Sequence, residues 1–383
     1  FGLNNYKSVV PGLVIVAALL TECGFAQPLD LFQDPARWEQ KAGGEGSFRV
    51  EDGALYIGRS SEALEPAELL TVQDFENFEL SFRYMQGRWC ESGLLIHAPR
   101  NQAYRAGIEI LLCDQPGSAP SPYRAGAILR HVPAKVVSIN KDGEWNTVHV
   151  RMDWPRLEVH INDEVVQDID LSAHDELRYS LRRGAIGFTN RLGWAMEVRD
   201  FQLTPLPDTE QGIALINGKD LSGWKVIGGE TNWQVVDGAI QASDANGYLR
   251  NDWVGQDFDL RMYVKTTPSA NGGVFFRWTT TDEWDRGHEI QILDVPGTYM
   301  TTGSIYGFDR ADDLAMTPQE WELMQVFVRG AHAVSCLNGV RVSETDGLQV
   351  VRPGHIVLQM HRPDTIIQWK DMVVVPADGA PQP

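Results

Sequence analysis

The chain has 383 residues, about twice what one hydrophobic core usually covers, which excludes a single small module and predicts two or three domains. Its 43% hydrophobic and 22% charged residues are those of a folded globular protein and exclude a disordered or coiled-coil chain. With 33 Lys and Arg against 52 Asp and Glu, a formal charge of -19, it lacks the cationic surplus that phosphate backbones demand, so nucleic acid is no partner. The 36 glycines and 12 tryptophans suit turn-rich β structure better than helix.

In chain order, Lys7 precedes an apolar stretch from Val9 to Leu20, and small residues follow up to Ala26. Charge, short apolar run and small residues make a secretory signal peptide over residues 1–26, with cleavage after Ala26. A run of about a dozen residues is too short to span a bilayer. A lipoprotein reading at Cys23 is the weaker alternative, because Glu22 stands where a small residue is the rule. The destination expected is extracytoplasmic, either periplasmic or secreted. Cys90, Cys113 and Cys336 are too few for a disulfide scaffold. Cys90 and Cys113 flank two neighbouring strands and can bridge in an oxidising compartment; the alternative is that all three are packed as small apolar side chains.

From Phe78 onward, apolar residues recur with period two in short runs separated by Gly, Asp, Asn and Pro. FELSFRY (Phe78 to Tyr84), VHVRMDW (Val148 to Trp154) and LEVHIND (Leu157 to Asp163) read as strands, as do DLRMYVKT (Asp259 to Thr266), GGVFFRW (Gly272 to Trp278) and IVLQMH (Ile356 to His361). The Pro-rich segment from Thr204 to Gly212 reads as a linker. One helical signal competes, Thr317-Pro318-Gln319-Glu320, with an N-cap, a Pro and a capping-box Glu. It predicts one turn at most, because Trp321 after it matches Trp145, which begins a strand; both tryptophans are expected in the core.

The chain repeats itself. GIEILLCD (Gly107 to Asp114) answers GHEIQILD (Gly287 to Asp294) at a displacement of 180 residues. VEDGAL, NFELSF and SGLLIH of the first half answer VVDGAI, DFDLRM and GGVFFR of the second. EWNTVHV and HINDEVV answer EWELMQV and CLNGVRV at 176, and GAIGF answers GHIVL at 170. The order is collinear, so the chain is a duplication whose unit is too long for a solenoid. The prediction is an all-β chain of two tandem β-sandwich or jelly-roll domains, at 27–207 and 208–376, with a frayed tail at 377–383.

Alternation along a strand sorts side chains onto two faces. In the second copy it predicts Ile290, Ile292, Val274, Phe276, Trp278, Ile356, Leu358 and Met360 on the core side. Arg277, Glu289, Gln291, Gln359 and His361 then share the opposite side. A plain solvated sheet face gives the same alternation. What departs from that is the mixture of donors, acceptors, a carboxylate and an imidazole, which is what a sugar site needs. The first copy has His97, Glu109, Leu111, Thr189 and Arg191 at these positions, so only the carboxylate persists. Catalysis is therefore expected in the second copy.

The second copy resembles the domain family associated with 3-keto-disaccharide hydrolysis. The resemblance is carried by ALINGKDLSGWK (Ala214 to Lys225), NWQVVDGAI, NGGVFFR, GHEIQILD, TGSIYG (Thr302 to Gly307), LNG and LQMH, in the family's order over nearly the whole copy. The first copy keeps EDGAL, SGLLIHAPR, GIEI, AGAI, EWN and GAIGF. The resemblance implies a concanavalin A-like jelly roll and an extracytoplasmic step in glycoside breakdown, on a sugar already oxidised at carbon 3 by a separate oxidoreductase. Either His361 or Glu289 is the base for the carbon 2 hydrogen, Arg277 and Gln291 hold the enolate or hydroxyls, and Tyr306 is an acid or hydrogen-bond donor.

Two other readings stay open. A laminarinase-like retaining glycosidase needs two carboxyl groups about 5 Å apart, and Asp294 falls on the core face unless a bulge turns it outward. A non-catalytic glycan-binding protein would display stacking tryptophans, for which Trp89, Trp194, Trp253 and Trp284 are candidates. A single divalent metal ion could sit between Glu289, His361 and a nearby aspartate; no cysteine-histidine cluster or EF-hand loop is present.

Overall fold

The computed structural model describes residues 28–58, 66–101, 103–191, 195–279, 287–295, 297–311 and 316–377. The signal segment, Trp194, Trp284 and residues 378–383 lie outside the described residues.

Each half is a sandwich of an eight-stranded and a five-stranded antiparallel sheet. In the first half the five-stranded sheet runs Trp38–Ala42, Ala67–Phe75, Gly184–Asn190, Ser92–Ala98, Ile108–Leu111. In the second it runs Trp224–Gly229, Gly247–Gly255, Gly354–Met360, Asn271–Trp278, His288–Leu293. The larger sheets match strand for strand, Phe78–Gln86 answering Phe258–Thr266. Every segment read as a strand from period two forms one. This is the all-β, tandem jelly-roll architecture.

One apolar core fills each sandwich. Phe78, Leu80, Phe82, Leu94, Ile96 and Ile110 face each other in the first, and Phe258, Leu260, Met262, Val274, Phe276 and Ile290 do so in the second. Each such side chain stabilises its sandwich by about 1.5–3 kcal/mol relative to exposure. Trp38 and Trp224 repeat the same closure, donating their indole N–H to the carbonyls of Leu31 and Leu215 at 2.9 and 2.7 Å. The halves touch where Tyr179 packs on Phe327, ring centroids 5.0 Å apart, beside Val334 and Cys336.

One expectation needs correction, and two others are met. Trp145 and Trp321 are half-buried and not core: Arg83 and Arg199 lie over the Trp145 ring, and Lys265 and Lys370 over Trp321. The strand starts at the sheet's rim there, so a large ring pairs with cations at the surface. The Thr317 segment forms a turn, with Glu320 N–H donating to the Thr317 carbonyl at 3.1 Å, and Glu322 accepting from the Thr317 N–H. Cys90 and Cys113 are joined as a disulfide, Cα atoms 5.6 Å apart, while Cys336 is buried and free. Among the described residues no helix is long and apolar enough to cross a membrane.

Candidate functional site

Residues opposite each other in an antiparallel ladder share a face, so register decides which side chains meet. In the second sandwich Gly273 stands opposite Gln291 on one side and Gln359 on the other, and Gln359 stands opposite Tyr248. Two residues along, Phe275 is flanked by Glu289 and Val357. Beyond Glu289, the backbone N–H of Tyr306 donates to the Glu289 carbonyl at 2.8 Å, next to an Ile290–Ile305 bridge. Tyr306 thus sits beside Glu289 on the same face, 52% exposed.

Gly273 is what brings the carboxylate into the polar row. A Cβ there would stand 2.8 Å from the Glu289 Cγ and would overlap the carboxylate as well. Glu289 therefore lies flat over the glycine, in the row between Gln291 and Gln359. The Gln359 amide donates to the Tyr248 hydroxyl at 3.2 Å, and the Gln291 carbonyl oxygen accepts from the Ile292 N–H at 3.0 Å. His361 is exposed just beyond that strand, its N–H donating to the Asn271 carbonyl at 2.8 Å. Strand spacing puts its Cα roughly 8 Å from that of Gly273, a distance a sugar ring spans. Tyr248, Phe275 and Trp278 form an aromatic floor beside the row, with centroids 5.1–6.3 Å apart.

The structure brings together Glu289, Gln291, Gln359 and Tyr306, with His361 at the end of the row. It does not bring Arg277 to them. Arg277 has a positive φ of 56°, and the ladder slips between Phe275 and Trp278. That slip turns Trp278 onto the Phe275 side and sends the guanidinium inward, 0% exposed. Its N–H groups go to the carbonyls of Gln256, Gly330 and Val350 and to the Asp257 carboxylate, all at 2.7–2.9 Å. His97 repeats this in the first sandwich, also at positive φ, against the Glu76 carbonyl. Both are structural plugs. Asp294 is likewise taken: the Thr302 hydroxyl donates to its carboxylate at 2.8 Å, and burial pushes its pKa up. A retaining glycosidase's second carboxylate is not offered by that residue.

Among the described residues no three His, Cys, Asp or Glu side chains converge as a metal site. Trp253, a stacking candidate, is buried and packs edge-on against Phe258. Sequence reasoning missed Gly273, Tyr248 and the aromatic floor. The Gly-Gly pair next to a Glu-bearing strand was the available signal, since glycine inside a strand marks close approach of another group.

The first sandwich builds the same cradle and closes it. Glu109 lies over Gly93, whose Cβ would stand 2.7 Å from the Glu109 Cγ, and Leu129 N–H donates to the Glu109 carbonyl at 2.8 Å as Tyr306 does to Glu289. Here, however, Thr189 donates to the carboxylate at 2.6 Å and Arg191 grips it with two guanidinium nitrogens, one at 2.7 Å. Glu109 is 2% exposed. Leucines, Leu111 and Leu129, stand where the second sandwich has Gln291 and Tyr306.

The chain is a tandem jelly roll whose second sandwich sets a carboxylate among amides and aromatic rings. The chain belongs to the 3-keto-alpha-glucoside-1,2-lyase-like domain family, whose sequence pattern matches residues 29–204 and again 211–375. Among solved structures it is similar to a glycosyl hydrolase candidate from Parabacteroides distasonis, at 19% identity over 47% of this chain and 94% of that one, TM-score 0.41. It is also similar to a galectin-like-fold protein from Bacillus subtilis, at 11% identity over 46% and 99%, TM-score 0.35. The carbohydrate-binding module CBM66 from Bacillus subtilis matches at 10% identity over 44% and 95%, TM-score 0.30. No curated protein matches the sequence.

Proposed function

We propose that the second sandwich cleaves 3-keto glycosides by elimination across carbons 1 and 2, outside the cytoplasm. The observation that carries this is the Glu289 carboxylate lying over Gly273, in the row between Gln291 and Gln359 and beside Tyr306. A ketone at carbon 3 acidifies the hydrogen on carbon 2. Glu289 takes that proton, the electron pair left behind forms the carbon 1–carbon 2 double bond, and the bond from carbon 1 to the departing oxygen breaks. Tyr306, beside Glu289, gives that oxygen its proton. The Gln291 and Gln359 amides donate to the enolate oxygen and neighbouring hydroxyls as charge develops there. His361 holds a hydroxyl at the far end of the row, and the sugar ring lies against Tyr248, the half-buried member of the aromatic floor. Water then adds across the double bond to give the free 3-keto sugar.

The ketone is supplied by a separate oxidoreductase acting beforehand. An extracytoplasmic setting is supported by the signal-like segment over residues 1–26 and by the Cys90–Cys113 bridge, since such bridges persist in oxidising compartments. The test is incubation of the purified protein with a chromogenic 3-keto glucoside and with its unoxidised parent. Release from the keto compound alone is expected. Release from the parent alone would overturn the proposal in favour of an ordinary glycosidase, and binding of both without turnover would favour a pure glycan-binding protein.

A further inference from the structure

A cavity of about 1100 Å³ lies in the first sandwich, at the place equivalent to the candidate site of the second. That exceeds the usual size of a single small-ligand pocket, and suits several linked units. Two aromatic side chains stand exposed in its wall, Trp89 at 62% and Tyr123 at 67%, and the Arg88 guanidinium covers only one side of the Trp89 ring, 5.5 Å from its centroid. The Trp89 backbone is in the left-handed region, φ 61°, where a bulky residue is rare. The fold does not demand an indole there: the second sandwich makes the same turn with Ser269, φ 64°. The next residue, Cys90, is clipped to Cys113, so the ring stands on a fixed loop. A bulky apolar ring held in solvent by a strained, cross-linked turn points to a ligand that covers it.

The polar groups give that ligand's class. Arg124 is paired with Asp114 at 2.9 Å, and Ser118 and the Ala125 N–H also bind that carboxylate, at 3.0 and 3.2 Å. Arg191 is paired with Glu109 beneath the floor. These pairs present fixed donors and acceptors with little net charge, and the leucines between them, Leu111 and Leu129, are apolar. Vicinal hydroxyls match such pairs, the C–H face of a pyranose matches indole and phenol, and a charged ligand would gain little. Leu111 and Leu129 stand here at the positions of Gln291 and Tyr306, to which the elimination is assigned in the second sandwich.

We infer that the first sandwich is a non-catalytic binding site for an uncharged oligosaccharide, stacked on Trp89 and Tyr123. It is independent of whether the second sandwich acts on 3-keto sugars, because it is read by binding alone. The experiment is isothermal titration calorimetry of the full chain with maltotetraose, cellotetraose, laminaritetraose and, as the charged control, tetragalacturonate. At least one neutral tetrasaccharide is expected to bind with a stoichiometry of one, with affinity weakened tenfold or more by Trp89→Ala and by Tyr123→Ala, and unchanged by Glu289→Gln. Circular dichroism checks that the variants are folded. Failure of every neutral tetrasaccharide to bind, binding of tetragalacturonate alone, or full affinity in Trp89→Ala would overturn the inference. Loss of binding in Glu289→Gln would move the ligand to the second sandwich and overturn it equally.

Discussion

The two sandwiches lay a glutamate over a glycine in the same way and then treat it oppositely. In the first, Arg191 and Thr189 take both oxygens of Glu109 and bury it. In the second, the arginine's place is held by His361 and the threonine's by Gln359, and the half-buried Glu289 has Gln291 and Tyr306 alongside. An ion pair of that kind fixes the Glu109 carboxylate as structure; around Glu289 the same ladder positions carry amides and a phenol. Both copies thus retain the glutamate-over-glycine cradle and differ in what surrounds the carboxylate.

The difference between the copies can be broken in order of size. Glu289→Gln should lower turnover of a 3-keto glucoside by about a thousandfold, the usual scale for a positioned base, while Glu109→Gln leaves it within twofold. Equal losses from both would erase the asymmetry. Gly273→Ala should cost about a hundredfold, because the new methyl displaces the carboxylate, whereas Gly93→Ala should spare turnover. Steady-state assays of the four variants decide this.

Stability should show the reverse asymmetry. Arg191→Met strands the buried Glu109 charge, at a cost of about 4 kcal/mol, and should lower Tm by roughly 10 °C. His361→Met, at an exposed position, should change stability by less than about 0.5 kcal/mol. Comparable Tm losses would contradict the description of Glu109 as a structural ion.

The smallest effect is one the copies share. Burial pulls the pKa of His97 in the first sandwich and His288 in the second from 6.5 to about 4. Between those values the unfolded chain binds more protons than the folded one. The stability from keeping these rings neutral is therefore full above pH 6.5 and is lost as pH falls toward 4. Thermal melts at pH 7 and pH 5 should show a smaller acid-induced drop in Tm for His288→Gln than for wild type, by a few degrees; an identical drop would refute the assignment.

Much of this was legible in the sequence, for identifiable reasons. The duplication and the strands follow from period two and matched turns, because burying one face forces alternation at every step. Glu289, Gln291 and Gln359 were placed on one face by the same rule. Arg277 was misplaced because a local slip of the ladder reverses the side on which a residue emerges, and nothing in GGVFFRW marks it. Gly273 was passed over because its contribution is the absence of a side chain. Trp145 and Trp321 were assigned to the core from ring size alone, which does not register the cations that cover an indole at the rim.

The central claim is that the reaction begins with loss of the carbon 2 hydrogen, and one measurement addresses it most directly. A 3-keto glucoside carrying deuterium at carbon 2 is turned over in ordinary water, and the product is weighed by mass spectrometry against a buffer control. Elimination at Glu289 predicts a product that has exchanged its deuterium for solvent hydrogen. Full retention of deuterium at carbon 2 would mean direct displacement at carbon 1 and would contradict the account.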